Sequence, residues 1–123
     1  MRSHATLSKL AIGLIGALGM ISVASAADAA KPEMTGKQLS YDRSMGNCLA
    51  CHAMPTQTDA ESPGTIGPPL IAMKARYPDK AKLRAQIWNA IDTNPNTVMP
   101  SFGKNKILTE AEIDKITDFI YGL

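Results

Sequence analysis

Gly46-Asn47-Cys48-Leu49-Ala50-Cys51-His52 is the stretch on which the fold of this chain turns. Cys48 and Cys51 are its only two cysteines. In an exported chain a lone pair of cysteines usually reads as one disulfide, and a two-residue gap makes it a tight redox bridge. A zinc site is weaker, because one C-x-x-C offers two of four ligands and His4 and His52 are the only histidines. His52 decides the matter: C-x-x-C-H is the attachment signature of covalently bound haem c. Two thiols on one helical turn add to the two vinyl groups of a porphyrin, and the following imidazole reaches the iron. A thioredoxin-like reading also lacks its alternating strands. The motif predicts one covalent haem c held by Cys48 and Cys51, with His52 as an axial iron ligand.

The start of the chain reads as a separate segment. Arg2, His4 and Lys9 precede an apolar run from Leu10 to Val23, and Ala24-Ser25-Ala26 fits a signal-peptidase site. The run is short for a spanning helix of ~20 residues. Residues 1–26 are therefore expected to be a cleaved signal peptide, leaving a periplasmic protein with no stable membrane span. Residues 27–37 read as a flexible, Ala-rich lead-in, and 38–123 as one domain. The precursor carries 13 Lys and Arg against 11 Asp and Glu. Without Arg2 and Lys9 the balance is neutral, which gives no case for nucleic-acid binding. Bases do cluster locally, at Lys74, Arg76, Lys80, Lys82 and Arg84, and that segment is either a docking patch or a solvated helix face.

With only six aromatic residues, a domain this small has little bulk for a core, and a haem would supply it. A first helix is expected from about Gln38 into the motif. Residues 53–69 are dense in turn formers, and Leu70 to Tyr77 reads as a short helix stopped by Pro78. Leu83, Ile87 and Ile91 recur every four residues, predicting a helix over Lys80–Ile91 with Trp88 beside its stripe. Thr109 and Glu112 form a capping box, with Leu108 and Ile113 as its staple. Ile113, Ile116, Ile120 and Leu123 make the buried stripe of a last helix. No strand pattern stands out, so the fold class is all-α with long loops.

Haem iron in an electron carrier takes a second axial ligand, and no second histidine lies outside the leader. Among the methionines, Met54 and Met45 lie on the His52 side, Met34 is in the lead-in, and a helical Met73 suits core packing. Met99 stands in the loop between two helices, beside rigid Pro100, and is the expected ligand. A thioether favours the ferrous state and closes the iron to substrate. An iron-bound His usually donates its other N–H to a carbonyl. Pro68, in Gly67-Pro68-Pro69-Leu70, is a candidate acceptor; the alternative is an ordinary Pro-rich turn.

The order of helix, C-x-x-C-H, Gly-Pro loop, middle helix, Met loop and last helix resembles a class I cytochrome c. That resemblance implies crossing first and last helices, with Ser40 or Ser44 and Phe119 or Tyr121 at the crossing. Segments 46–52, 63–68, 76–84, 94–100 and 107–114 further resemble SoxX, the small cytochrome subunit of SoxAX complexes. This second resemblance implies a role as the electron-accepting subunit of an L-cysteine S-thiosulfotransferase. Its expected partners are a SoxA-like subunit bearing the catalytic thiol, a SoxY-type carrier protein and a downstream acceptor cytochrome. The alternatives are a free-standing periplasmic electron-shuttle cytochrome c and a sensor with an open iron.

Overall fold

The computed structural model describes residues 33–123. The expected signal peptide and most of the lead-in lie outside them. Among the described residues there are four α-helices, two 3-10 turns and no strand. No described helix is long and apolar enough to cross a membrane.

Helix α1 is Gly36–Tyr41 and begins two residues before the expected start. Thr35 makes the difference. Its hydroxyl accepts from the Gln38 N–H, while Gln38 Oε1 accepts from the Thr35 N–H at 2.9 Å. This Thr-x-x-Gln capping box contributes about 1 kcal/mol. The helix does not run on into the motif as expected. Asp42 Oδ1 accepts from the Ser44 amide and hydroxyl at 2.7 and 2.6 Å, offering the backbone a turn in place of a helix. Gly46 N–H then returns to the Leu39 carbonyl. Asn47 takes the left-handed conformation at φ 47°, and the cysteines open on a fresh 3-10 turn, Cys48–Ala50.

Helix α2 (Met73–Arg76) is one turn, narrower than the expected 70–77. Helix α3 (Lys80–Trp88) is capped by Asp79, whose carboxylate accepts from the Ala81 amide at 2.9 Å. It buries Leu83 and Ile87 but ends three residues before the expected Ile91. Ile91 falls on the second 3-10 turn, Ala90–Asp92, and is 45% exposed. Helix α4 (Glu110–Tyr121) starts on the Thr109/Glu112 capping box. It buries Ile113, Ile116 and Ile120, with Leu108 buried at its entry and Leu123 half-buried.

Helices α1 and α4 make the main packing contact. Gly36 sets its closeness: an added Cβ would lie 2.6 Å from the Lys115 carbonyl carbon and 3.0 Å from Phe119 Cβ. Ser40 is fully buried beside it, its hydroxyl donating to the Gly36 carbonyl at 2.7 Å. Tyr41 and Phe119 meet edge to face, 6.4 Å between centroids. Ser40 and Phe119 thus stand at the crossing, whereas Ser44 lies in the exposed turn.

Ion pairs tie α3 to α4. Arg84 Nε donates to Asp114 at 2.5 Å and its Nη2 to Glu110 at 3.1 Å, while Lys80 reaches Asp118 at 2.6 Å. Two of the five bases between 74 and 84 are therefore neutralised by α4.

Candidate haem-binding site

The motif segment is lashed to the Gly-Pro loop by backbone hydrogen bonds. The amides of Gly64, Gly67 and Leu70 donate to the carbonyls of Leu49, Cys51 and Ala53, each at 2.8 Å. Two glycines permit this approach. A Cβ on Gly64 would fall 2.7 Å from the Ala50 carbonyl carbon. One on Gly67 would lie over the His52 ring, 2.6 Å from Nδ1 and 2.8 Å from Nε2.

His52 Nδ1 lies 2.6 Å from the Pro68 carbonyl oxygen. A carbonyl only accepts, so Nδ1 is the donor in this contact, and Nε2 is the ring nitrogen left to face a ligand. The next residue is tethered as well: Arg76 Nη1 donates to the Pro69 carbonyl at 2.6 Å. The Pro-Pro segment is thus stiff by composition and pinned at both carbonyls.

His52 and both cysteines open onto one cleft of about 670 Å³, within the range of cofactor sites. Its walls include Leu83, Ile87, Phe102, Leu108, Ile116 and Ile120, so it cuts into the apolar core. Neither cysteine is in a disulfide. Cys48 is half-buried because it faces the cleft, yet protein packs closely enough around its sulfur that burial pushes the thiol up to about 11, against a smaller opposing effect of Ser40.

Met45, Met73 and Met99 line the cleft; Met34 and Met54 are not among its walls. Met54 is buried in the core. Met73 is buried in α2, its sulfur 3.4 Å from Arg76 Nη1. Met99 is half-buried on the loop after Val98, and its amide donates to Thr97 Oγ1 at 3.1 Å. The residues fit a haem: an apolar cleft, two free thiols, an oriented imidazole nitrogen and a loop thioether open to one space.

Residues 33–120 match the family model described as cytochrome C oxidase, cbb3-type, subunit III. The chain belongs to this family of c-type cytochrome domains. It is SoxX-like within it, since it is similar to a chain of the crystal structure of SoxXA from P. pantotrophus. That match has 30% identity and a TM-score of 0.64, and covers 70% of this chain and 77% of that one. No curated protein matches the sequence. The cytochrome has the class I fold that its motif order resembles. Two further features have local sequence signals that periodicity alone passes over: the Thr-x-x-Gln cap, and the run of turn formers from Asp42 to Asn47 that breaks α1.

Proposed function

We propose that this cytochrome is the electron-accepting subunit of a thiosulfate-oxidising complex of the SoxXA kind. The observation that carries this reading is the 30% identity to the SoxXA chain over most of both lengths. Cys48 and Cys51 would hold one haem through their sulfurs, His52 Nε2 and the Met99 sulfur would be its iron ligands, and the Pro68 carbonyl orients the His52 ring. The haem, when bound, supplies a one-electron couple. The leader is removed on export, and the protein works in the periplasm.

Joining thiosulfate to a cysteine thiol of a SoxY-type carrier forms one S–S bond and releases one proton and two electrons. With both of its own cysteines in the haem motif, this chain has no thiol left to carry sulfur. The bond-making step therefore belongs to a SoxA-like partner. This chain takes the electrons one at a time and passes each to an acceptor cytochrome within the same turnover. With His52 and Met99 both as ligands, the haem would supply electron transfer and leave no open iron position for substrate.

The test is reconstitution. With a SoxA-like subunit and carrier protein present, thiosulfate should bleach the ferric spectrum of this cytochrome, and omitting either should prevent it. Thiosulfate turnover at an equal rate without this chain would overturn the proposal. A lone mass on size exclusion from native extract would favour the free-standing shuttle.

A further inference from the structure

We infer that Asn89 and Ser101 act together as a buried staple that holds the Met99 loop shut over the cleft. The inference rests on the reading of Met99 as an iron ligand, and it assigns positioning roles to two residues outside that ligand set.

The two residues stand at the two ends of one loop. Asn89 leaves α3 at φ −149°, and Ser101 follows Pro100. Ser101 Oγ donates to Asn89 Oδ1 at 2.7 Å. The pair is 4% and 2% exposed, and Asn89, Ser101 and Thr117, together with Ser40, are the buried polar residues of the described domain. A hydroxyl and an amide thus sit where apolar side chains are the rule, twelve residues apart in sequence.

Backbone bonds close the same base. The amides of Gly103 and Lys104 both donate to the Trp88 carbonyl, at 3.1 and 3.3 Å. Gly103 packs against the indole so closely that an added Cβ would fall 2.6 Å from Cζ3. Phe102, beside it, is buried in the core. Between these anchors Ala90 is buried, Thr97 and Met99 are half-buried and Thr93 is bonded to Gln86 of α3, while the tip is exposed. Asn94, Pro95 and Asn96 are all open to solvent, and Val98 is 77% exposed. Its internal bonds are local: Thr97 to Asn94, and the Met99 amide to Thr97.

A compact loop with a fixed base and a solvated tip moves as a unit. In the closed state both staple atoms are buried and paired. Removing the hydroxyl leaves the Asn89 oxygen buried without its donor, a cost that vanishes when the loop swings out and water reaches it. Loss of either partner therefore shifts the loop towards open, and the iron towards outside ligands.

The test uses ferric holoprotein and imidazole as the competing ligand, followed by absorbance. Ser101→Ala should bind imidazole roughly tenfold more tightly than the parent. Asn89→Ala should do likewise, and the double variant should fall short of the product of the two. Thr117→Ala is the control. It removes an equally buried hydroxyl, bonded to the Ile113 carbonyl at 2.7 Å on α4. It should lower the melting temperature and leave imidazole affinity at the parent value. Hydrogen exchange on the unaltered holoprotein gives a second measurement: the amides of Asn94, Thr97 and Met99 should exchange together, faster than those of α4.

Met99→Ala separates the two levels. If it binds imidazole no better than the parent, Met99 is not a ligand, and the staple falls with that reading. If Met99→Ala opens the iron but Ser101→Ala matches the parent, the staple alone is wrong. Equal gains in Ser101→Ala and Thr117→Ala would mean general loosening, and would overturn it too.

Discussion

Replacing Gly67 with alanine should disturb the imidazole of His52 more than any other single methyl added to this protein. The new Cβ would lie 2.6 Å from Nδ1 and 2.8 Å from Nε2, and nearer still to Cε1. Ordinary non-bonded heavy-atom contacts begin at about 3.5 Å. Ring and loop must therefore separate by about 1 Å. The loop cannot easily yield, since the Gly67 amide is bonded to the Cys51 carbonyl at 2.8 Å and Pro69 is pinned by Arg76. The ring gives way, and a 1 Å retreat is enough to take the 2.6 Å Nδ1–Pro68 contact beyond the ~3.2 Å limit of a hydrogen bond. Overpacking costs about 1–3 kcal/mol and the lost hydrogen bond about 1 kcal/mol more. An imidazole without its carbonyl partner is a poorer donor to iron, so the ferric state loses support and the potential rises. If the whole bond, about 0.5–1.5 kcal/mol, acts on the ferric state, the rise is about 20–60 mV, at 59 mV per tenfold for one electron. Redox titration of the holoprotein beside thermal melting checks both numbers. A potential within 10 mV of the parent with an unchanged melt would refute the claim that the Gly-Pro loop holds the ring.

Gly36→Ala should destabilise the holoprotein by about 1–3 kcal/mol, because the helix-propensity gain at a first-turn position is smaller than the cost of prising α1 from Lys115 and Phe119. Gly122→Ala, whose Cβ would meet only carbonyl oxygens at 3.3 and 3.7 Å, should stay within about 0.5 kcal/mol in the same melts. Arg84→Ala should cost about 1 kcal/mol at low salt and less at high salt, because its Asp114 and Glu110 pairs are largely solvated; a loss independent of salt would place its contribution in its stacking on Trp88, 5.6 Å from the ring. Asp59 is held below the usual carboxylate range chiefly by its hydrogen bond from Lys37 Nζ at 2.7 Å. A depressed carboxylate adds stability above its unfolded pKa of about 3.9 and loses it as the pH falls through the folded value. The melting difference between parent and Asp59→Asn should therefore be present at pH 6 and shrink as the pH is lowered below about 4; a difference that does not change with pH would show that the pair is not its source.

The features legible in the sequence are those fixed within a few residues. The C-x-x-C-H run, the Thr109/Glu112 cap and the Ile113-Ile116-Ile120 stripe each carry their cause beside them. The first helix departs from its expected course over its second half, although the cause is again local: Asp42 and Ser44 form a side-chain turn, and Asn47 takes a left-handed φ. Those residue types are the ones that compete with helix for backbone hydrogen bonds. The basic segment 74–84 is illegible for a different reason. Lys80 and Arg84 are neutralised by Asp118, Asp114 and Glu110, 26 to 38 residues away, and no window along the chain holds both sides of those pairs.

The end of α3 shows how a distant partner can overrule a good periodicity. Leu83 and Ile87 favour Ile91 on the same face, while Thr93, whose hydroxyl bonds the Ala90 carbonyl, competes locally for the backbone. The helix stops at Trp88, and Asn89 just beyond it is engaged elsewhere. Its side chain meets Ser101 and the Trp88 carbonyl is taken by Gly103 and Lys104, so the backbone at 89 turns out and Ile91 is left at the surface. An exposed isoleucine is a small loss. What it secures is a loop that begins and ends at one buried point, with Met99 carried between. The end of α3 and the base of the Met99 loop thus meet at the Asn89–Ser101 bond. A variant that restored the helical path through Ile91 would be expected to release Met99 as well.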